Sequence, residues 1–212
     1  MIPVSLSLHG KKELFMFEQG HTRPWTERLP MPAADAMSQA QRAAAQALID
    51  GPRKAVFGPF VPLLQSPVLM ERIGSLGEYL RFDSQLDARV RELVTCAVAR
   101  HVGNQFEWVL HAPAAVKAGV SADAIEALRL GRRAAPLADD EQLALDLALE
   151  LLHHHGVSEP TYAAAEARFG KQAVVELSAL VGYFAMVCWV MNVAHTPVKE
   201  AEGQPGLEAF PL

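Results

Sequence analysis

Near its C-terminus the chain runs through Leu177 to Ala194, LSALVGYFAMVCWVMNVA, without a single charged side chain. A stretch of that length and apolarity has two physical solutions: it crosses a bilayer, or it becomes a helix covered by other protein. Glu176 directly precedes it, Asn192 falls near its end, and Ser178, Gly182 and Tyr183 interrupt it. Those residues favour the second solution, a helix inside a bundle or a subunit interface, with no membrane partner. Pro197 ends it, having no amide hydrogen to continue the ladder.

Such a helix needs other helices to cover it, and the preceding sequence supplies them. Ser38 with Gln41 three positions on forms a capping box, and the helix it opens stops at Gly51-Pro52. Val56 to Leu64, with Pro59 and Pro62, reads as a loop. Ser66-Pro67 opens a helix to about Phe82, cap followed by a first-turn proline. Two helices joined at Gly103-Asn104 occupy Asp87 to Ser121, and Ser121 caps a short helix ending near Gly131. Asp139, Asp140 and Glu141 favour the N-terminal dipole of a helix running from Glu141 to His155. Ser158-Glu159-Pro160 starts another, which Gly170 stops after Phe169, and the apolar helix proper begins at Gln172.

No run alternates with period two over strand length, and half of the 212 residues are hydrophobic, so the fold class expected is all-α. One helical domain is predicted over residues 37–197. It is flanked by an extended, proline-rich arm over 1–36 and a tail over 198–212. Met16 offers an alternative start. The net charge of −5, without a basic cluster, argues against nucleic acid as a partner. Cys96 and Cys188 both fall within apolar helical runs, which predicts free buried thiols and a reducing, cytoplasmic location. His153, His154 and His155 are consecutive, so on a helix they point about 100° apart and do not converge on one ion. No metal is expected.

Chemistry concentrates in the helical pair from Asp87 to Ser121. Glu92 and Cys96 lie one turn apart on its first helix, Glu107 and His111 one turn apart on its second. Two acids and an imidazole on otherwise apolar helices are costly to bury unless they pair with one another or do work.

The same segment carries a resemblance. Arg91-Glu92-Leu93-Val94, Val98-Ala99-Arg100-His101, Glu107-Trp108-Val109-Leu110-His111 and Ala118-Gly119-Val120-Ser121 resemble, in that order, the carboxymuconolactone decarboxylase family, relatives of alkylhydroperoxidase D. Gly58-Pro59-Phe60, the run Leu76 to Phe82, and Val181-Gly182-Tyr183-Phe184 extend the likeness over roughly Gly51 to Pro197. The resemblance implies an alkylhydroperoxidase D-like helical bundle assembled as a homo-oligomer, a trimer or hexamer. Redox members of that group carry a Cys-x-x-Cys where this chain has Asn104 and Glu107, so dithiol peroxidase chemistry is not expected.

The resemblance implies instead a cofactor-independent lyase, a decarboxylase acting on a small carboxylated lactone or an intermediate of aromatic-compound degradation. The small-molecule carboxylate would lose carbon dioxide, and the electron density left behind would be protonated at carbon. His111 is the expected proton donor, because an imidazole titrates near neutrality, with Glu107 and Glu92 as its relay. Trp108, Phe60, Arg100 and His101 are the expected substrate contacts. The alternatives are a ligand-binding or structural oligomer that keeps Glu92, Glu107 and His111 as a buried network, and a thiol-dependent enzyme using Cys96.

Overall fold

A computed structural model describes residues 26–198 and 205–208. Met16, most of the predicted N-terminal arm and most of the tail lie outside the described residues. All the regular elements among the described residues are helical: α1 (Gln39–Asp50), α2 (Phe60–Leu63), α3 (Pro67–Glu78), α4 (Ala88–Val102), α5 (Gln105–Ala118), α6 (Ala122–Arg129), α7 (Asp139–His154) and α8 (Glu159–Ala194).

The centre of the bundle is α4. Its residues are buried almost without interruption from Glu92 to Arg100, because two separate cores meet on it. One face joins Val90, Val94 and Val98 to apolar residues of α1, α3, α7 and α8. The other joins Leu93, Cys96 and Ala97 to Trp108 of α5, Ile125 and Leu128 of α6 and Leu145 of α7. Between Leu93 and Ala99 the helix presents no charge on any side, so it can be covered all round.

The long apolar run is instead half covered. An 18-residue window of α8 has mean hydropathy 1.9, enough by length and composition to cross a membrane, and 61% of that window is buried within the fold. The helix breaks at Gly170 (φ 83°, ψ 164°), the position the sequence marks as a stop. Its C-terminal carbonyls, which have no intrahelical partners, receive Arg28: the amide donates to the Ala194 carbonyl at 2.7 Å and Nη1 to the Val193 carbonyl at 3.1 Å.

Four details depart from the sequence reading. The Val56–Leu64 loop contains one helical turn, α2, in which Pro62 sits early enough that no intrahelical donor is lost. The helix after Pro67 changes to a π turn over Tyr79–Asp83. Ser121 occupies the N-cap of α6 without a side-chain capping bond. Helix α7 starts two residues early, at Asp139, and stops at His154, with His155 in the left-handed conformation that ends it (φ 60°).

Candidate active site

Helices α4 and α5 form a hairpin because Gly103 turns left-handed (φ 68°) and Asn104 caps α5. The Asn104 Oδ1 accepts from the Glu107 amide at 2.9 Å, while its Nδ2 donates to Asn192 Oδ1 at 2.8 Å and to the Cys188 carbonyl at 3.3 Å. The position held by a thiol in dithiol relatives is thus a fully buried cap that fastens α5 to α8.

That hairpin brings Glu92, Glu107 and His111 together. His111 Nδ1 lies 2.5 Å from Glu92 Oε2, and Nε2 lies 3.1 Å from Glu107 Oε2. All three are buried, and Phe184 packs edge-on to the imidazole at 5.1 Å. Burial, the largest single influence, pulls the His111 pKa down. The hydrogen bonds and charges of Glu107 and Glu92 outweigh it and hold the pKa at about 9. Burial likewise opposes ionisation of Glu92, but His111, Arg91 and Arg81 outweigh it and keep that carboxyl below its usual range. The imidazole is therefore protonated at neutral pH, with both its N–H groups directed at carboxylates.

The array ends in a cleft lined by Glu107, His111, Arg53, Arg81, Phe60 and Tyr183, among others, whereas Glu92 is not part of its wall. The enclosed free volume is about 30 Å³ within a cleft of about 370 Å³ counted out to open solvent. Arg81 comes from the π turn. That turn is pinned to α8 by Glu176, which accepts from the Tyr79 hydroxyl at 2.5 Å and the Gln85 amide at 2.9 Å. Arg53 lies over the Phe60 ring at 4.7 Å and pairs with Glu78 at 2.9 Å. Gly77 leaves room for both cleft polar groups: a Cβ there would collide with the Tyr183 hydroxyl and fall 2.8 Å from Arg53 Nη2. Burial pushes the Tyr183 phenol up to about 12, so it remains a hydrogen-bond donor.

Of the expected substrate contacts, only Phe60 lines this cleft. Trp108 is buried in the other core, its Nε1 donating to the Pro205 carbonyl at 3.2 Å. Arg100 and His101 line a separate cavity beside α7. Those three side chains stand outside the cleft. Arg53, Arg81 and Tyr183 were not singled out as site residues. Arg81 and Tyr183 sit inside the family-like runs, while Arg53 comes just after the Gly51-Pro52 stop without a local signal. Cys96 is fully buried, and burial together with the charges of Glu92 and Glu107 raises its thiol well above the ordinary range. A thiolate there is opposed by both solvation and charge. Among the described residues, no group of three or more His, Cys, Asp or Glu is arranged to hold a metal ion.

Residues 67–150 match the profile of the carboxymuconolactone decarboxylase family, and the matched segment contains the whole Glu92–His111–Glu107 array. Over that segment the chain is similar to this family. Solved structures agree on the fold. A peroxidase-related protein from Silicibacter sp. TM1040 superposes with a TM-score of 0.69 at 19% identity, covering 87% of this chain and 99% of that one. A peroxidase-related alkylhydroperoxidase D core protein from Ralstonia eutropha JMP134 gives 0.65 at 18% identity, covering 82% and 93%. A cysteine-to-alanine variant of the debrominase Bmp8, in complex with 2,3,4-tribromopyrrole, gives 0.60 at 12% identity, covering 86% and 95%. At these identities the likeness is one of fold. No curated protein matches the chain.

Proposed function

We propose that this protein is a cofactor-independent lyase that decarboxylates a small carboxylated lactone or related intermediate of aromatic degradation. The observation that carries the reading is a buried proton relay, Glu92–His111–Glu107, opening into a cleft that also holds Arg53, Arg81 and the protonated Tyr183. The two guanidiniums suit an anionic substrate and the electron density that moves onto its carbonyl. As the bond to the departing carboxylate breaks, its electron pair passes toward the lactone carbonyl, and the carbon left behind takes a proton. Both ring nitrogens of His111 face carboxylates, so the proton travels from Nε2 to Glu107 and from Glu107 to substrate carbon. Glu92 stabilises the imidazolium from behind. No metal or organic cofactor is needed for these steps.

Carbon dioxide release from carboxymuconolactone, compared between the native protein and Glu107→Gln, tests the reading. Turnover that survives the substitution, or no turnover in the native protein, removes it for this substrate. The tightness of the cleft and the pairing of Arg53 with Glu78 favour a second reading, in which the array is a lock on the α4–α5 register. In that case the substitutions change stability and nothing else.

We also infer a homo-oligomer of cytoplasmic location. Val175, Trp189 and Val193 are 68%, 60% and 62% exposed along one side of α8, a spacing that suits packing against a second copy. The two free, buried thiols suit a reducing compartment.

A further inference from the structure

A second cavity, of about 320 Å³, opens between the C-terminal half of α4, helix α7 and the segment joining α6 to α7. It is larger than the free space beside Glu107 and falls within the span of about 300–1,000 Å³ usual for small-molecule pockets. None of its lining residues belongs to the cleft. Leu128, Leu145 and Leu149 give it an apolar floor, and Arg100, Arg132 and Arg133 contribute cations to its wall. The one acid in the lining, Asp146, accepts from Gln142 Nε2 at 2.7 Å. The local balance is therefore positive in a chain whose net charge is −5.

The cations are placed differently. Arg132 and Arg133 are exposed and stand at the mouth. Arg100 is buried, and its Nη1 donates to the Glu208 carbonyl. Gly131 makes that approach possible: its φ is +69°, and a Cβ on it would fall 2.7 Å from Arg100 Nη2. His101 and His153 meet edge to face at 4.9 Å along the same wall. Burial and the neighbouring His153 lower the His101 pKa, so a neutral imidazole edge is available for hydrogen bonding. A leucine floor below a guanidinium mouth matches an anion that carries an apolar body. Inorganic phosphate would leave that floor unfilled.

We propose that this cavity binds a small aromatic or similarly bulky monocarboxylate, at a site separate from the Glu107 cleft. The apolar body rests on Leu128, Leu145 and Leu149, and the carboxylate pairs with Arg132 and Arg133. The inference stands independently of the lyase reading.

Calorimetric titration of the full-length protein with 1-naphthoate tests it. Saturable binding is expected, weakened by about tenfold or more in Arg132→Glu/Arg133→Glu, where charge attraction becomes repulsion. Both arginines are exposed, so this variant is expected to fold. Leu149→Trp, which fills the floor, is expected to abolish binding, and 1-naphthalenemethanol, without the charge, to bind far more weakly. Arg81→Glu is expected to bind 1-naphthoate like the native protein, because Arg81 lines the cleft and not this cavity. Absence of binding at millimolar probe overturns the proposal, as does binding indifferent to both cavity variants. Binding lost in Arg81→Glu would place the ligand in the cleft instead and overturn it too.

Discussion

The Nδ1 atom of His111 lies 2.5 Å from Oε2 of Glu92, nineteen residues earlier on the neighbouring helix. This contact ties α5 to α4, and it makes stability depend on pH in a defined direction. The folded protein holds the imidazole pKa at about 9 against an ordinary 6.5, so it binds the proton more tightly than the unfolded chain does. The stabilisation is complete below pH 6.5, shrinks as pH rises, and is lost above about 9. The urea midpoint of the native protein is expected to fall across that window. His111→Gln is expected to flatten this dependence and to lower stability at pH 6 by on the order of 3 kcal/mol. Equal slopes in both proteins would assign the titration to another group.

Glu107 occupies the other end of the array and alone among the two acids reaches the cleft. If it delivers the proton, Glu107→Gln lowers kcat by roughly 10²–10⁴-fold with a smaller change in KM. Glu92→Gln acts only through His111. Removing one of the two carboxylates that raise the imidazole pKa is expected to move the alkaline limb of the rate profile to lower pH. A kcat unchanged in Glu107→Gln, in a protein that turns substrate over, assigns proton delivery elsewhere.

Gly77 tests whether Arg53 and Tyr183 matter together. A methyl group at this helical position collides with the Tyr183 hydroxyl and falls 2.8 Å from Arg53 Nη2, and both side chains are buried. Gly77→Ala is therefore expected to displace both groups at an overpacking cost of about 1–3 kcal/mol, while substrate KM rises clearly. Gly77→Ala with unaltered kinetics would separate the two cleft groups from binding.

The order and limits of the helices were legible in the sequence where local chemistry decides them. Ser38 and Gln41 exchange both capping hydrogen bonds, and Gly103 and Gly170 break helices where expected. The pairing of Glu92, Glu107 and His111 was legible in their helical spacing and the family-like runs. The walls of the cleft were not, because they depend on packing between distant segments. Arg81 reaches it through a π turn, whose extra residue changes the facing of every later position, and Arg53 arrives from a loop. Trp108 stands outside the cleft for a related reason. One helical step from Glu107, it faces the other core, a rotation of about 100° that decides between wall and interior.

The exposed side of α8 predicts an association surface. Charge introduced at Trp189 or Val193, as Trp189→Glu/Val193→Glu, is expected to reduce the species seen by light scattering after size exclusion to a smaller assembly, with helical circular dichroism retained. These side chains are more than half exposed, so the substitution spares the core. An unchanged mass would move the proposed interface off this face.

Residues 205–208 form a strap, and their contacts argue that this short segment contributes to the stability of the fold. Gln105 pairs its side-chain amide with the Leu207 backbone in both directions, accepting from the amide at 2.8 Å and donating to the carbonyl at 3.0 Å. Arg129 donates to the Gly206 carbonyl at 3.1 Å and pairs with Glu208 at 2.9 Å. Leu207 itself is 7% exposed and belongs to the core around Trp108. Leu207→Ala is expected to cost about 2–4 kcal/mol, the range for truncating a buried leucine, and Gln105→Ala about 1–3 kcal/mol by leaving two backbone groups without partners. Either change loosens the segment over Trp108, whose indole donates to Pro205. Its fluorescence should shift to the red and residues 205–208 become open to limited proteolysis, whereas Glu126→Ala, at an exposed partner of Arg129, should do neither. Leu207→Ala with native stability and native emission would show that the strap rests on the core without supporting it.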